Sequence, residues 1–476
     1  MKHTIALIFL LFFVSTSCSQ DIIAEKGSYG IDIERKIIVW HQTNLASQNV
    51  KSITFDKTYV FDKKGEKLTH NNAISVKADT KYKLYITKLP IIHISMNDAQ
   101  INSRKKIEGK FSYYDDKQFV ESVMGVRHRG NLSLSFDKKS FDLELWKDAT
   151  TQESVDAQFL HMRSDDDWIL DAMFNEPIRL RSFVATNLWN ETHKPYYLGK
   201  EPEAKSGFDV AYVEVFKNNK YYGLYQLMES VDRKQLQVKK NKGDTIRGRI
   251  YRANSYEGGP DFSKASPEYD NVFKSWIGWE SNYPFIDYTS DFGDLSRFQN
   301  LVVNSSNEDF KTKISEEFVL DNAIDYYIFV NIIRATDNLG KNYSLAKYDA
   351  NQPYFIVPWD LDGTFGVIQD GKRIATTDDV LTNGLFKRLI AQNPQGYKGK
   401  LKTRWKELRG TVYNDRNLFS KIDAIYNSFT DELVYEREFL VWQNKLNELS
   451  NAEHYAYLED WLKKRLAYLD RYFEGL

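Results

Sequence analysis

The stretch from Ser315 to Gly366 constrains this 476-residue chain more than any other. Apolar residues recur at helical spacing from Ser315 to Arg334, which predicts an amphipathic helix with Ser315 as N-cap and Glu316 and Glu317 in its first turn. A polar turn follows at Asp337–Lys341. Two short aromatic runs, Asn342–Tyr348 and Tyr354–Pro358, then flank a turn at Asp349–Pro353. The expected order is helix, loop, hairpin, with acids on the exits. Asp337 lies on the loop, Asn342 five residues on, and Asp360 and Asp362 beyond the second strand. That is the layout of a phosphoryl-transfer site, in which the first Asp orients a hydroxyl and the Asn and later Asp hold Mg²⁺ on phosphates. The plainer reading makes Asp337–Gly340 and Asp360–Gly363 ordinary turns. Spacing alone leaves both open.

Before this stretch the chain is mostly strand-like, and after it mostly helical, so the fold class is α+β. Four runs rich in Val, Ile, Tyr and Phe between Tyr29 and Thr87 predict a small β-sandwich over residues 19–88. A second domain, 89–476, opens at Leu89. Its expected strands are Ile91–Met96, Lys106–Tyr113, Met124–Gly130, Ser140–Trp146, Val210–Phe216 and Tyr221–Glu229. A helix begun near Pro177 separates the last two from the rest. Lys239–Leu301 reads as an irregular insertion with a short helix or two. Helical patterns at Leu385–Gln392, Leu401–Leu408, Asn417–Tyr426, Leu433–Asn444 and Ala452–Tyr472 fill the tail.

Two charged clusters stand out in the strand-rich part. Arg127 and Arg129 share a strand face, because side chains repeat every two residues. Lys138 and Lys139 begin the partner strand. This hairpin is either a phosphate cradle or a solvated basic face. Asp165, Asp166 and Asp167 form a run of acids that is more simply solvated than metal-binding.

The N-terminus carries an export signature. Lys2 and His3 precede an apolar run, Ile5–Val14, and then Ser15-Thr16-Ser17-Cys18. Cys18 is the only cysteine, so an exported chain has no internal disulfide. A lone Cys directly after small residues resembles a bacterial lipoprotein signal. That implies a signal peptide ending at Cys18, lipidation there, and a lipid-anchored place in the cell envelope. An ordinary signal with an incidental Cys is the alternative. A net charge of −1 supplies no field for nucleic acid.

Five motifs occur in order: R-H-R-G-N-L-S-L-S-F-D-K-K-S-F-D-L-E-L at Arg127–Leu145, W-I-L-D-A at Trp168–Ala172, Y-Y-G-L-Y-Q-L-M-E at Tyr221–Glu229, D-N-L-G-K-N-Y at Asp337–Tyr343, and P-W-D-L-D-G-T-F-G at Pro358–Gly366. Together they resemble the CotH kinase family, the spore-coat-protein-H-like atypical kinases. The chain departs from that pattern within Asn131–Ser133 and at Asp137, which stands where Pro commonly precedes the lysine pair. The resemblance implies a two-lobed atypical protein-kinase-like domain with a helical C-terminal lobe. It also implies ATP, Mg²⁺ (or Mn²⁺), and transfer of the γ-phosphate to Ser/Thr hydroxyls of cell-surface or secreted proteins. Asp337 is then the catalytic Asp, Lys341 touches the γ-phosphate, Asn342 and Asp360 hold metal, and Asp362 is a second metal contact. Lys139, with Lys138 as the alternative, is the strand lysine on the phosphates, beside Arg127 and Arg129. Glu229 sits at the hinge, and Glu176 (or Glu191) pairs with the lysine. The same site would serve AMP transfer. A non-catalytic surface binding module on a kinase-like scaffold is the rival from another class.

Overall fold

Turns between Tyr29 and Thr87 are more frequent than the sequence pattern suggests. The computed structural model describes residues 20–45, 50–63, 66–287, 289–442 and 449–476; the signal-like segment and the lipidation expected at Cys18 lie outside them. Asp32 accepts from the Arg35 amide (2.9 Å) and guanidinium (2.8 Å), and this turn splits one expected run into Tyr29–Asp32 and Ile37–His41. Another run folds into the hairpin Val50–Thr54 and Thr58–Phe61. Seven strands form where four runs were expected, and from Gln20–Ile23 to Lys81–Thr87 they are hydrogen-bonded as one mixed sheet. Ile38, Trp40, Ile53, Tyr59 and Leu84 fill the core on one side. On the other, Ile37, Val39 and Tyr85 pack with Ile91, Phe216 and Tyr221 of the following region.

That region is a closed seven-stranded barrel. Its order is Gln118–Arg129, Ser140–Trp146, Asp167–Asp171, Lys220–Met228, Val210–Lys217, Ile91–Met96 and Ile107–Asp115. Most neighbours are antiparallel, but Ile91–Met96 runs parallel to Val210–Lys217 and closes the ring, leaving no open edge. Ile92, Val126, Phe141, Leu143 and Val213 point inward, as alternation requires.

The helical half differs from expectation at its start. Ser315 lies inside a helix, Asn307–Glu317, whose N-cap is Ser306, accepting from the Asp309 amide at 3.0 Å. Phe318 and Val319 are extended, and the Val319 amide donates to the Tyr354 carbonyl at 2.9 Å. One predicted helix is therefore two, and the second, Leu320–Ile333, is buried on every face. Helices Arg181–Thr192, Tyr397–Gly410 and Asn451–Glu474 pack around it. The hairpin beyond it forms as Tyr343–Lys347 and Tyr354–Pro358. The expected irregular insertion supplies three more strands to that sheet, Arg249–Ala253, Ser275–Trp276 and Trp279–Tyr283. Among the described residues, no helix is long and apolar enough to cross a membrane.

Candidate functional site

A cavity of about 360 Å³ lies where the barrel mouth meets the end of the five-stranded sheet. Five stretches of chain meet there: the turn after Arg129, the exit of strand Asp167–Asp171, the end of strand Arg249–Ala253, and the paired loops Asp337–Asn342 and Trp359–Asp362. The central helix ends in a left-handed Arg334, and a short turn of 3₁₀ helix, Asp337–Leu339, then presents Asp337. Buried Asn338 ties the two loops together, donating to the Asn342 carbonyl (2.6 Å) and the Trp359 carbonyl (2.8 Å). Asn342 and Asp360 both have left-handed backbones, with φ of 58° and 55°. Asn and Asp tolerate that conformation better than most side chains. The strand has ended at Pro358, so this turn, and not strand alternation, directs Asp360 and Asp362 into one cavity.

Asp171, Asp337, Asp360 and Asp362 all line it. Asp360 is open to solvent through the cleft, yet protein surrounds its carboxylate. Burial raises its pKa; Arg129 pulls it back, and Asp171 and Asp337 push it up again. Burial and then Asp360 hold the Asp362 carboxyl well above the usual range, against a 2.6 Å hydrogen bond from Asn175. Asp337 is engaged on both oxygens: Lys341 lies 3.0 Å from one, and the Tyr256 hydroxyl donates to the other at 3.0 Å.

Cations face these acids. The guanidinium groups of Arg129 and Arg252 sit 5.5 and 5.9 Å from the Trp359 ring centroid. Among the described residues, neither has a carboxylate within ion-pairing distance, and burial lowers the Arg252 pKa. Lys138 borders the cavity from behind, fully buried, with its ammonium 2.7 Å from Glu438 of helix Val434–Val441. Burial pulls Lys138 down to about 8, against the pull of Glu438. Burial works to raise Glu438, but Lys138 and Arg179 together hold it below its ordinary value.

Five of the residues singled out in the sequence do not face the cavity. Lys139 turns back on its own loop, donating to the Leu134 carbonyl (2.8 Å) and to that of Phe136. Lys138 has the cavity side instead, in step with Ser140, since adjacent residues in extended chain point oppositely. Arg127 pairs with Asp142, directly across the hairpin, at 2.6 Å. Glu176 is not the partner of the lysine. It is spent on the amides of Ile178, Leu180 and Arg181 and on the Arg181 guanidinium, where it starts helix Arg181–Thr192. Glu191 pairs with Lys421 on the surface. Glu229 is buried and accepts from the Arg163 amide (2.6 Å), the Asp209 amide (2.8 Å) and the Gln235 side chain (2.6 Å).

Asp171, Asn175, Arg252 and Glu438 had no role in the sequence reading, and Asn338 appeared there only as a turn residue. Asp171 lies inside the W-I-L-D-A motif, so its strand exit was in view. Asn338 lies inside D-N-L-G-K-N-Y. Nothing local to Arg252 or Glu438 marks them, because their meaning depends on which strand and helix dock beside the cavity.

The donors suit a hard divalent cation: four carboxylates and side-chain amides, Asn342 among them, offer oxygen, as Mg²⁺ and Mn²⁺ prefer. Burial, and after it the neighbouring carboxylates, push two of those carboxyls up. Among the described residues, the one carboxylate trio with oxygens already within 4.8 Å of one another lies elsewhere, at Asp156, Asp165 and Asp166. That trio already has counterions, since Arg163 binds Asp165 and Lys234 reaches Asp165 (2.8 Å) and Asp166 (3.3 Å).

The mixed α+β fold thus gathers acids and guanidinium groups in one cleft. The family model described as CotH kinase protein matches residues 126–469, and the chain belongs to that family. The match spans every element around the cavity. No curated protein matches the sequence.

Proposed function

We propose that this protein is an exported atypical protein kinase that transfers the γ-phosphate of ATP to Ser/Thr hydroxyls of cell-surface or secreted proteins. The observation that carries the reading is the convergence of Asp171, Asp337, Asp360 and Asp362 with Arg129 and Arg252 on one cavity. Phosphoryl transfer needs little covalent help; it needs positioned charge around phosphates and an oriented hydroxyl. The barrel and the helical half act as the two lobes of a kinase-like domain, with the nucleotide between them. Arg129 and Arg252 engage phosphate oxygens, and Lys138, set by Glu438, takes the part of the lobe lysine. Asp360, Asp362 and Asn342 hold Mg²⁺ or Mn²⁺, with Asp171 beside them. The bound cation supplies charge neutralisation on the phosphates. Asp337 orients the acceptor hydroxyl, and Lys341 steadies Asp337.

The same reading includes a signal peptide ending at Cys18, a lipid anchor there, and substrates in the cell envelope. The test is incubation of the purified protein with γ-labelled and, separately, α-labelled ATP, each with Mg²⁺ or Mn²⁺. Label transferred to protein from the γ position alone supports the kinase. Transfer from the α position makes it an AMP transferase, and absence of both nucleotide binding and transfer leaves a non-catalytic binding module.

A further inference from the structure

Tyr256 brings a hydroxyl onto Asp337 from the rim of the cavity. The strand before it, Arg249–Ala253, lines the cavity with its last residues, and the chain then turns so that the Tyr256 ring lies over the loop carrying Asp337. The hydroxyl is 3.0 Å from Asp337 Oδ1 and 3.2 Å from the Asp337 carbonyl. A carboxylate only accepts, so the phenol proton points at Asp337. The ring rests on Gly340, where a Cβ would lie 2.0 Å from Tyr256 Cε1, so only glycine admits this approach. Lys341 stands 5.6 Å from the ring centroid while its ammonium holds the other Asp337 oxygen. Tyr256 is 55% exposed, so it is held by this loop and not by a surrounding core.

On the phosphotransfer reading above, on which this inference rests, Asp337 is the group that orients the acceptor hydroxyl. We propose that Tyr256 is itself a phosphoacceptor of this site, modified within its own chain. A bond forms between Tyr256 Oη and the γ-phosphorus of ATP. The bond from that phosphorus to the β,γ-bridging oxygen breaks, its electron pair leaves with ADP, and the phenol proton passes to Asp337. The product carries a phosphate of nearly two negative charges beside Asp337. Like charges repel, so the modified ring leaves the Gly340 surface and opens Asp337 to hydroxyls of other proteins.

The experiment incubates the full chain with ATP and Mg²⁺, with dephosphorylated casein as the external acceptor, and maps phosphate by mass spectrometry. Nucleotide affinity is measured in parallel by calorimetry. Phosphate is expected on Tyr256, at a fractional rate unchanged by about tenfold dilution of the protein. Casein labelling should then show a lag that preincubation with ATP removes. Tyr256→Phe should carry no phosphate at 256, show no lag, and bind ATP within about twofold of wild type. Casein phosphorylated while Tyr256 stays unmodified overturns this inference and leaves the kinase reading standing. A Tyr256 rate that scales with protein concentration overturns modification within the chain. ATP bound with no transfer to any acceptor overturns both.

Discussion

Lys138 donates to Glu438 at 2.7 Å, although 300 residues of chain separate them. The pair couples the barrel to helix Val434–Val441 behind the cavity, and Arg179 joins it at 3.1 Å. Removing one partner leaves the other charge buried. Glu438→Ala is therefore expected to lower unfolding stability by about 3–5 kcal/mol. Lys139→Ala, which releases only a self-contained loop lysine, should cost far less. Denaturant titration of both variants checks the contrast, and equal losses would place Lys139 in the structural role.

Asp337 and Asp360 should fail in different ways. Asp360→Asn keeps a residue tolerant of the left-handed backbone and removes the charge, so loss of Mg²⁺-dependent ATP binding and of turnover together is expected. Asp337→Asn should keep much of the ATP affinity yet lose turnover by about 10²–10⁴-fold, the usual worth of a positioned proton acceptor. Calorimetry and initial rates on the same preparations separate the two. Unchanged activity in both variants would return the loops to a structural role.

The crowded carboxyls predict a pH signature. Asp360 and Asp362 have folded pKa values above the ordinary carboxylate range, so the folded state holds protons that the unfolded state has released. Their contribution to stability is fully present below the unfolded pKa of about 4 and is lost as pH rises through the raised folded values. Metal-free protein should thus gain stability from this pair on acidification. Saturating Mg²⁺ should flatten the dependence, because bound cation replaces the protons. Melting curves against pH, with and without Mg²⁺, and with the Asp362→Asn variant as reference, measure it.

The N-terminal sheet should not be separable without loss. Ile37, Val39 and Tyr85 share a core with Ile91, Phe216 and Tyr221, and Lys88 pairs with Glu432 at 2.8 Å. Uncovering a large apolar side chain costs about 1.5–3 kcal/mol. A chain beginning at Leu89 should unfold at clearly lower denaturant than the full chain. An unchanged midpoint would make the sheet an independent appendage.

Export is checked at Cys18. A fatty-acid probe fed to cells should mark the wild-type protein and not Cys18→Ala; equal labelling removes the lipid anchor from the proposal.

Local periodicity determined the parts of the site that lie close together in sequence. The hairpin of Tyr343–Lys347 and Tyr354–Pro358 and the order Asp337, Lys341, Asn342, Asp360, Asp362 follow from helix, turn and strand signals within about one supersecondary unit. All five residues line the same cavity. Where the sequence pattern was continuous but the chain bends, as at Phe318–Val319, periodicity missed the break. A strand-like contact to Tyr354 decides it, and that contact is tertiary.

Only the folded chain decided the rest. Lys138 and Lys139 are equivalent as letters; a register of one residue sends Lys138 to the cavity and Lys139 to its own loop. Glu176 lies near the right helix in sequence but is consumed by that helix's first amides, while Glu438 arrives from a helix docked on strand Lys220–Met228. Arg252 joins the site because its strand pairs with Tyr343–Lys347. A side chain's periodicity says which face it occupies. Which charge stands opposite depends on sheet closure and helix docking across scores to hundreds of residues, and no local pattern carries that information.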